Sequence, residues 1–285
     1  MDTQNIVSVI GSGTMGNGIA HVFSMCPKIT EVMLVDLNDS ILDKAKLIIN
    51  QNMDRQIKKN LIKKEEAKKA YSKILFTNDI ENIKSSNLVI EAVKEDLNTK
   101  AIVFSHIDQL TSPQCILATN TSSISINQIA KNTNKPQNVI GMHFMNPVPV
   151  MQLVEIIKGL KTDSSIVEKT LDYVNLINKT PVECNDSPGF VSNRILMPMI
   201  NEAAFTYMEN VASADAVDSI MMLGMGHPMG PLKLADLIGI DVCVSIMEVL
   251  YKGFKDKKYK ACPILEKMIK SNKLGMKSGE GFYKY

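Results

Sequence analysis

Short, almost uniformly apolar runs alternate with stretches of helical length through the first two thirds of the chain, and then the strands stop. Ile6–Ile10, Val32–Val35, Leu88–Ile90, Ile116–Ala118 and Val139–Met142 read as buried strands, rich in β-branched residues. The helix-length segments between them are the signature of βαβ units on a parallel sheet. One of these, Asp39 to Tyr71, is long and Lys-rich, and predicts a helical hairpin projecting from the sheet. Gln152–Ile157 and Pro181–Cys184 read as further strands around a helix, Ser165–Asn178, carrying Ile166, Val167, Leu171, Val174 and Ile177. After Asp186-Ser-Pro-Gly189 only helical patterns remain: Phe190–Met208, Ala214–Leu223, Leu232–Ile238 and Val242–Leu250, separated by Gly and Pro between Gly224 and Pro231. The pattern predicts an α/β domain over residues 1–185, with the helical insert at 39–71, followed by an all-helical domain over 186–285.

Composition narrows the class. A chain of 285 residues with 45% hydrophobic content can bury one large core or two smaller ones. A net charge of +2 and no Trp argue against a nucleic-acid binder. No apolar run reaches the roughly 18–20 residues that span a bilayer. Nothing before Ile6 resembles a signal peptide, so a cytoplasmic location is expected, with no membrane association. Cys26, Cys115, Cys184, Cys243 and Cys262 form no CxxC pair and read as reduced thiols. The histidines show no ligand spacing, and no metal is expected.

The first strand runs into Gly11-Ser-Gly13-Thr14-Met15-Gly16, and a helix, Thr14–Ser24, follows. Gly11 permits the tight turn, Gly13 lets backbone approach a pyrophosphate, and Gly16 lets helix and strand pack closely. The helix N-terminal amides then face the phosphates. Asp36 ends the second strand about 20 residues further on, where a carboxylate accepts from the adenosine ribose and repels a 2′-phosphate. This favours NAD over NADP. The loop Cys26-Pro-Lys-Ile-Thr30 stands where a helix-terminating glycine is more usual.

A second constellation lies near the middle. His143 follows an apolar strand, Asn146 and two prolines make a rigid turn, and the next strand returns with Glu155. An imidazole oriented by a carboxylate is a competent acid/base near neutral pH. The other histidines read as structural: His106 on a helical face with Ile102, Val103, Ile107 and Leu110, His21 on the first helix as a surface or packing residue, and His227 in a Gly/Pro turn.

Read in order, Gly11–Gly16, Asn120-Thr-Ser-Ser123, His143–Glu155, Asp186-Ser-Pro-Gly-Phe-Val-Ser-Asn193-Arg194, His227-Pro-Met-Gly-Pro231 and Ser278-Gly-Glu-Gly-Phe-Tyr283 resemble the 3-hydroxyacyl-CoA dehydrogenase family, nearest its stand-alone bacterial 3-hydroxybutyryl-CoA dehydrogenases. The resemblance covers essentially the whole chain. It implies a Rossmann-type NAD-binding domain and an all-α C-terminal domain that forms a homodimer, for which the Met-rich helices would serve. It assigns His143 as acid/base, Glu155 as its orienting partner, and Ser122 and Asn193 as groups that position the substrate oxygen. It places Glu95, Lys100 and Asn120 around the nicotinamide and its ribose. On the helical insert Lys59 matches a CoA-contacting Lys, whereas Asn52 stands where many relatives carry Ser. The loop at Pro27 is about two residues longer than in typical bacterial relatives. Arg55, Lys58 and Lys59 read either as a solvated face or as partners for the CoA phosphates. The competing functions are a CoA-independent hydroxyacid or L-gulonate-type dehydrogenase, and a non-catalytic NAD-binding protein. A relative that uses a catalytic Lys is disfavoured by the His143/Glu155 pair.

Overall fold

A computed structural model describes residues 5–285, which divide into two compact units, one ending at Asp186 and the other spanning Ser187–Tyr285. The first unit runs β1 (Ile6–Ile10), α1 (Thr14–Met25), β2 (Glu31–Val35), α2 (Asp39–Lys58), α3 (Lys64–Tyr71), β3 (Ile74–Thr77), β4 (Leu88–Glu91), α4 (Leu97–Leu110), β5 (Ile116–Thr119), α5 (Ile126–Ala130), β6 (Val139–Phe144), β7 (Leu153–Lys158), α6 (Ser164–Leu176) and β8 (Thr180–Asn185). Its sheet has the order β3-β2-β1-β4-β5-β6-β7-β8. Every neighbouring pair is parallel except β6–β7. The central strands are buried along their whole length, which is why they read as unbroken apolar runs. Pro181, which lacks an N–H for the ladder, sits on the edge strand β8.

The hairpin at 39–71 does not project freely. Leu42, Ala45, Ile49 and Met53 of α2 and Ala67 and Ala70 of α3 are buried. All but Leu42 join the core cluster that includes Ile19 and Phe23 of α1. His21 on α1 is a packing residue rather than a surface one: it is buried, with Nε2 at 3.1 Å from Gln56 Oε1 on α2. The helix α4 also departs from expectation. Its buried positions are Lys100, Phe104, Ile107 and Asp108, leaving His106 and Ile102 exposed. Asp108 is drawn inward because its Oδ2 accepts from the backbone N–H and side-chain amide of Asn134, at 2.8 and 3.1 Å.

The second unit comprises α7 (Ser192–Met208), α8 (Ala214–Met225), α9 (Pro231–Ile238), α10 (Ile240–Phe254) and α11 (Pro263–Lys270), packed around Met197, Ile200, Leu232, Cys243 and Leu250. After α11 the only helical element among the described residues is a single 3-10 turn, Met276–Ser278. The terminal residues of this segment are fastened by two buried carboxylates. Asp236 accepts from the N–H groups of Phe282 and Tyr283, both at 3.0 Å, and from the Tyr285 hydroxyl at 3.0 Å. Asp218 accepts from the Leu232 and Lys233 N–H groups, at 2.8 and 2.9 Å, and from the Tyr283 hydroxyl at 2.7 Å. Gly281 is required here, because a Cβ would meet Asp236 Oδ1 at 2.0 Å. Asp236→Ala should therefore destabilise the protein by about 3 kcal/mol, since three donors lose one buried acceptor. A urea melt that leaves the midpoint unmoved would show that the clasp carries no stability.

Candidate active site

Parallel strands end on one side of the sheet, and in open α/β folds ligands bind beyond those ends. Five of the sequence-derived features fall there. After β1, Gly11 adopts φ +97°, and its N–H donates to Val35 O at 2.8 Å. A Cβ on Gly16 would lie 1.8 Å from Gly11 O, so only glycine allows α1 to start this close to the strand. A Cβ on Gly13 would meet nothing within 4 Å, and Gly13 and Thr14 are exposed while Met15 is half-buried. Gly13 caps α1 without a side-chain hydrogen bond to its first amides. That leaves bare backbone facing open space, which fits a pyrophosphate.

Asp36 follows β2 directly. Its Oδ2 accepts from the Ser12 N–H at 2.6 Å and the Ser12 hydroxyl at 2.7 Å, and its Oδ1 from the Leu37 N–H at 2.7 Å. The carboxylate is thereby tied to the glycine turn. Ser12 is a contributor that the spacing of glycines alone did not single out.

Beyond β4 and β5 lies an ionic network that runs from the buried Glu91 and Lys100 to the exposed Glu95. Lys100 is 1% exposed, with Nζ at 2.6 Å from Glu91 Oε1 and 3.2 Å from Glu95 Oε2. Enclosed in this way, Lys100 is shielded from solvent, and Glu95, 37% exposed, is the more open of its two partners. Glu95 Oε1 accepts from Thr121 Oγ1 at 2.6 Å and from the N–H groups of Ser122 and Ser123 at 2.9 and 3.1 Å. Burial alone would push the Glu95 carboxyl up, but Lys100 and these donors outweigh it and hold it below the ordinary carboxylate range. For Glu91, burial wins, and its carboxyl is raised despite Lys100 and Thr119. Asn120 accepts at Oδ1 from the Phe144 N–H at 2.9 Å, which couples the end of β5 to the end of β6.

The imidazole and carboxylate meet across the antiparallel β6–β7 pairing of the sheet. His143 and Glu155 are directly opposed in the β6–β7 register, and His143 Nδ1 lies 2.7 Å from Glu155 Oε2. Both are buried. The turn between the two strands contains Asn146 and Pro147, joined by a cis peptide bond. Ser122 is half-buried, within the turn that Glu95 holds. Asn193 belongs to the second unit, in the first turn of α7, and is buried.

Asn52, Arg55, Lys58 and Lys59 lie at the C-terminal end of α2, and Arg55 Nη1 donates to Asn52 Oδ1 at 3.3 Å. Arg55, Lys58 and Lys59 are exposed, and none takes part in the ion pairs among the described residues. Lys63, Lys64, Lys68 and Lys69 are exposed on and beside α3, as a solvated face would be. No cluster of His, Cys, Asp or Glu suited to a metal occurs among the described residues. None of their helices is long and apolar enough to cross a membrane. The cysteines are free, and burial pushes the Cys184 thiol up to about 11 and those of Cys115 and Cys243 up to about 12. These three stay thiols near neutral pH.

A glycine turn opening a helix, an acidic residue closing the next strand, and polar groups gathered beyond a parallel sheet define a Rossmann-type dinucleotide-binding protein. Comparison with known proteins makes this specific. Residues 6–187 match the family model of the 3-hydroxyacyl-CoA dehydrogenase NAD-binding domain, and residues 189–285 match that of the 3-hydroxyacyl-CoA dehydrogenase C-terminal domain. The chain is 46% identical over 279 residues to the 3-hydroxybutyryl-CoA dehydrogenase of Clostridioides difficile, covering 98% of this chain and 99% of that protein. It is 46% identical over 277 residues to a probable 3-hydroxybutyryl-CoA dehydrogenase of Deinococcus radiodurans, covering 97% and 99%. Among solved structures, the (S)-3-hydroxybutyryl-CoA dehydrogenase of Ralstonia eutropha matches with a TM-score of 0.95 at 40% identity, over 99% of both chains. The chain belongs to the 3-hydroxyacyl-CoA dehydrogenase family and is an NAD-dependent hydroxyacyl-CoA dehydrogenase.

Proposed function

We propose that this enzyme interconverts (S)-3-hydroxybutyryl-CoA and acetoacetyl-CoA, with His143 and Glu155 as its acid/base pair and NAD(H) rather than NADP(H) as its cofactor. The observation that carries the reading is the buried 2.7 Å contact between His143 Nδ1 and Glu155 Oε2. A carboxylate on Nδ1 fixes the tautomer, so proton exchange with substrate runs through Nε2. When bound, the nicotinamide supplies or accepts the hydride at C3 of the substrate. His143 takes the proton of the 3-hydroxyl in oxidation and returns it to the 3-keto oxygen in reduction. Ser122, held in its turn by Glu95, donates to that oxygen, and Asn193 keeps the matching role that the resemblance assigns it. Gly11, Gly13, Thr14, Met15 and Gly16 would hold the pyrophosphate. Asp36 would accept from the adenosine ribose. Glu95 and Asn120 would face the nicotinamide side, with Lys100 behind Glu95. The preference for NAD is supported by Asp36, whose carboxylate forms no ion pair among the described residues and would repel a 2′-phosphate.

The basic end of α2 supports a CoA ester over a free acid. Arg55, Lys58 and Lys59 would pair with the 3′-phosphate and pyrophosphate, with Asn52 beside them. Such contacts are exposed and screened by salt. Raising ionic strength from low to about 0.5 M should therefore raise KM for acetoacetyl-CoA severalfold, and more than for a truncated thioester lacking the nucleotide. Equal responses would return these residues to a solvated face. Dimerisation through the second unit is supported by a cleft of about 400 Å³ lined by Met199, Ala203, Val217, Ile220 and Met221, with Leu223 and Met225 exposed nearby.

The reading is tested by initial rates of NADH oxidation with acetoacetyl-CoA beside free acetoacetate, each repeated with NADPH. Turnover confined to acetoacetyl-CoA with NADH is expected. Equal turnover of free acetoacetate would favour a CoA-independent hydroxyacid dehydrogenase, and none at all a non-catalytic NAD-binding protein.

A further inference from the structure

Glu91, the last residue of β4, is 0% exposed and receives three donors. Lys100 Nζ lies at 2.6 Å, Thr119 Oγ1 at 2.7 Å and the Val93 N–H at 2.8 Å. Lys100 spends its remaining donors on Glu95 Oε2 at 3.2 Å and, more distantly, on Val93 O at 3.5 Å. Glu95 Oε1 in turn gathers the hydroxyl of Thr121 and the amides of Ser122 and Ser123. A continuous run of charge-assisted bonds thus leads from the sheet interior to the backbone of Ser122.

We propose that Glu91 is a positioning residue for the cofactor-facing side of the site, acting through Lys100. One cation stands between two carboxylates. While Glu91 holds Lys100 on its inner side, Glu95 engages the ammonium with one oxygen only and keeps the other for the 121–123 turn. With the Glu91 charge removed, the ammonium has a single anionic partner, and it draws both Glu95 oxygens away from that turn. A residue that served stability alone would lower the melting temperature without altering what the turn binds. The inference rests on the reading of Glu95 and Ser122 as cofactor and substrate contacts.

The test is NADH affinity, by fluorescence titration, with kcat and KM for acetoacetyl-CoA, in Glu91→Gln, Lys100→Met, their double variant and Glu95→Gln. Glu91→Gln should raise the NADH Kd roughly tenfold, as loss of one charged buried bond implies. KM for acetoacetyl-CoA should change far less. In the Lys100→Met background the same substitution should add far less, because what remains between Glu91 and the turn is the uncharged path through Thr119 Oγ1, which accepts from the Thr121 N–H at 3.2 Å. A folded Glu91→Gln with wild-type NADH affinity overturns the inference, and so does an undiminished further loss in the double variant. If Glu91→Gln lacks the native melting transition, Glu91→Asp keeps the charge but draws it back from Lys100 by one methylene. A smaller rise in NADH Kd is then expected, and no rise overturns the proposal. Weakened binding in Glu95→Gln with none in Glu91→Gln sinks this inference alone; wild-type binding in both removes the assignment of Glu95 as well.

Discussion

His143→Gln is expected to lower kcat for acetoacetyl-CoA reduction by about a thousandfold, the middle of the range for a positioned general acid. NADH affinity should stay within about twofold, since His143 is buried at the β6–β7 pairing, apart from the glycine turn that would hold the pyrophosphate. Glu155→Gln should cost less, roughly a hundredfold, because the amide can still accept from Nδ1 but no longer supports the charge that develops on the ring. The order matters as much as the size. If Glu155→Gln were harmless while His143→Gln was inactive, the carboxylate would be packing rather than partner. If both variants kept most of their turnover, the acid/base assignment would be wrong.

The second large effect is expected at Gly16→Ala. Its Cβ would stand 1.8 Å from Gly11 O and 3.4 Å from a Val9 methyl, and the closest obstacle is backbone rather than a movable side chain. The turn must therefore open, and the first amides of α1 move away from the phosphates they are placed to meet. NADH Kd should rise roughly a hundredfold, equivalent to about 2.7 kcal/mol, with the melting transition retained. Gly13→Ala is the instructive control: its Cβ meets no protein atom within 4 Å, so its effect is felt only if the cofactor fills that space. A Gly16→Ala protein that binds NADH as tightly as wild type would mean that the close approach of helix and strand is not needed.

These positions were legible in the sequence for a physical reason. Gly11, Gly13 and Gly16 answer to local geometry, and Asp36 to the end of a strand that an apolar run already marked. His143 and Glu155 lie on consecutive strands joined by a rigid turn, so their pairing is set by short-range register. What was not legible depends on contacts distant in sequence. Glu91 stands one residue past the apolar run Leu88–Ile90 and carries no local signal, because Lys100 and Thr119, which hold it, come from two later elements. The helix α4 carries two competing stripes. The one with His106 is the more apolar, yet the helix turns its Lys100 and Asp108 face inward because their partners await them there. The short strand β3 and the last helix α11 also escaped the pattern. Ile74–Thr77 is four residues at an edge of the sheet, only the first of them buried, and Pro263–Lys270 has only two buried side chains.

The measurement that bears most directly on the central claim is the fate of the label when acetoacetyl-CoA is reduced with NADH dideuterated at C4. The account predicts a 3-hydroxybutyryl-CoA product carrying one deuterium at C3, read by mass spectrometry, because His143 delivers only the proton on oxygen while the nicotinamide delivers the hydrogen on carbon. A product without deuterium at C3, or NADH left unconsumed, would contradict it.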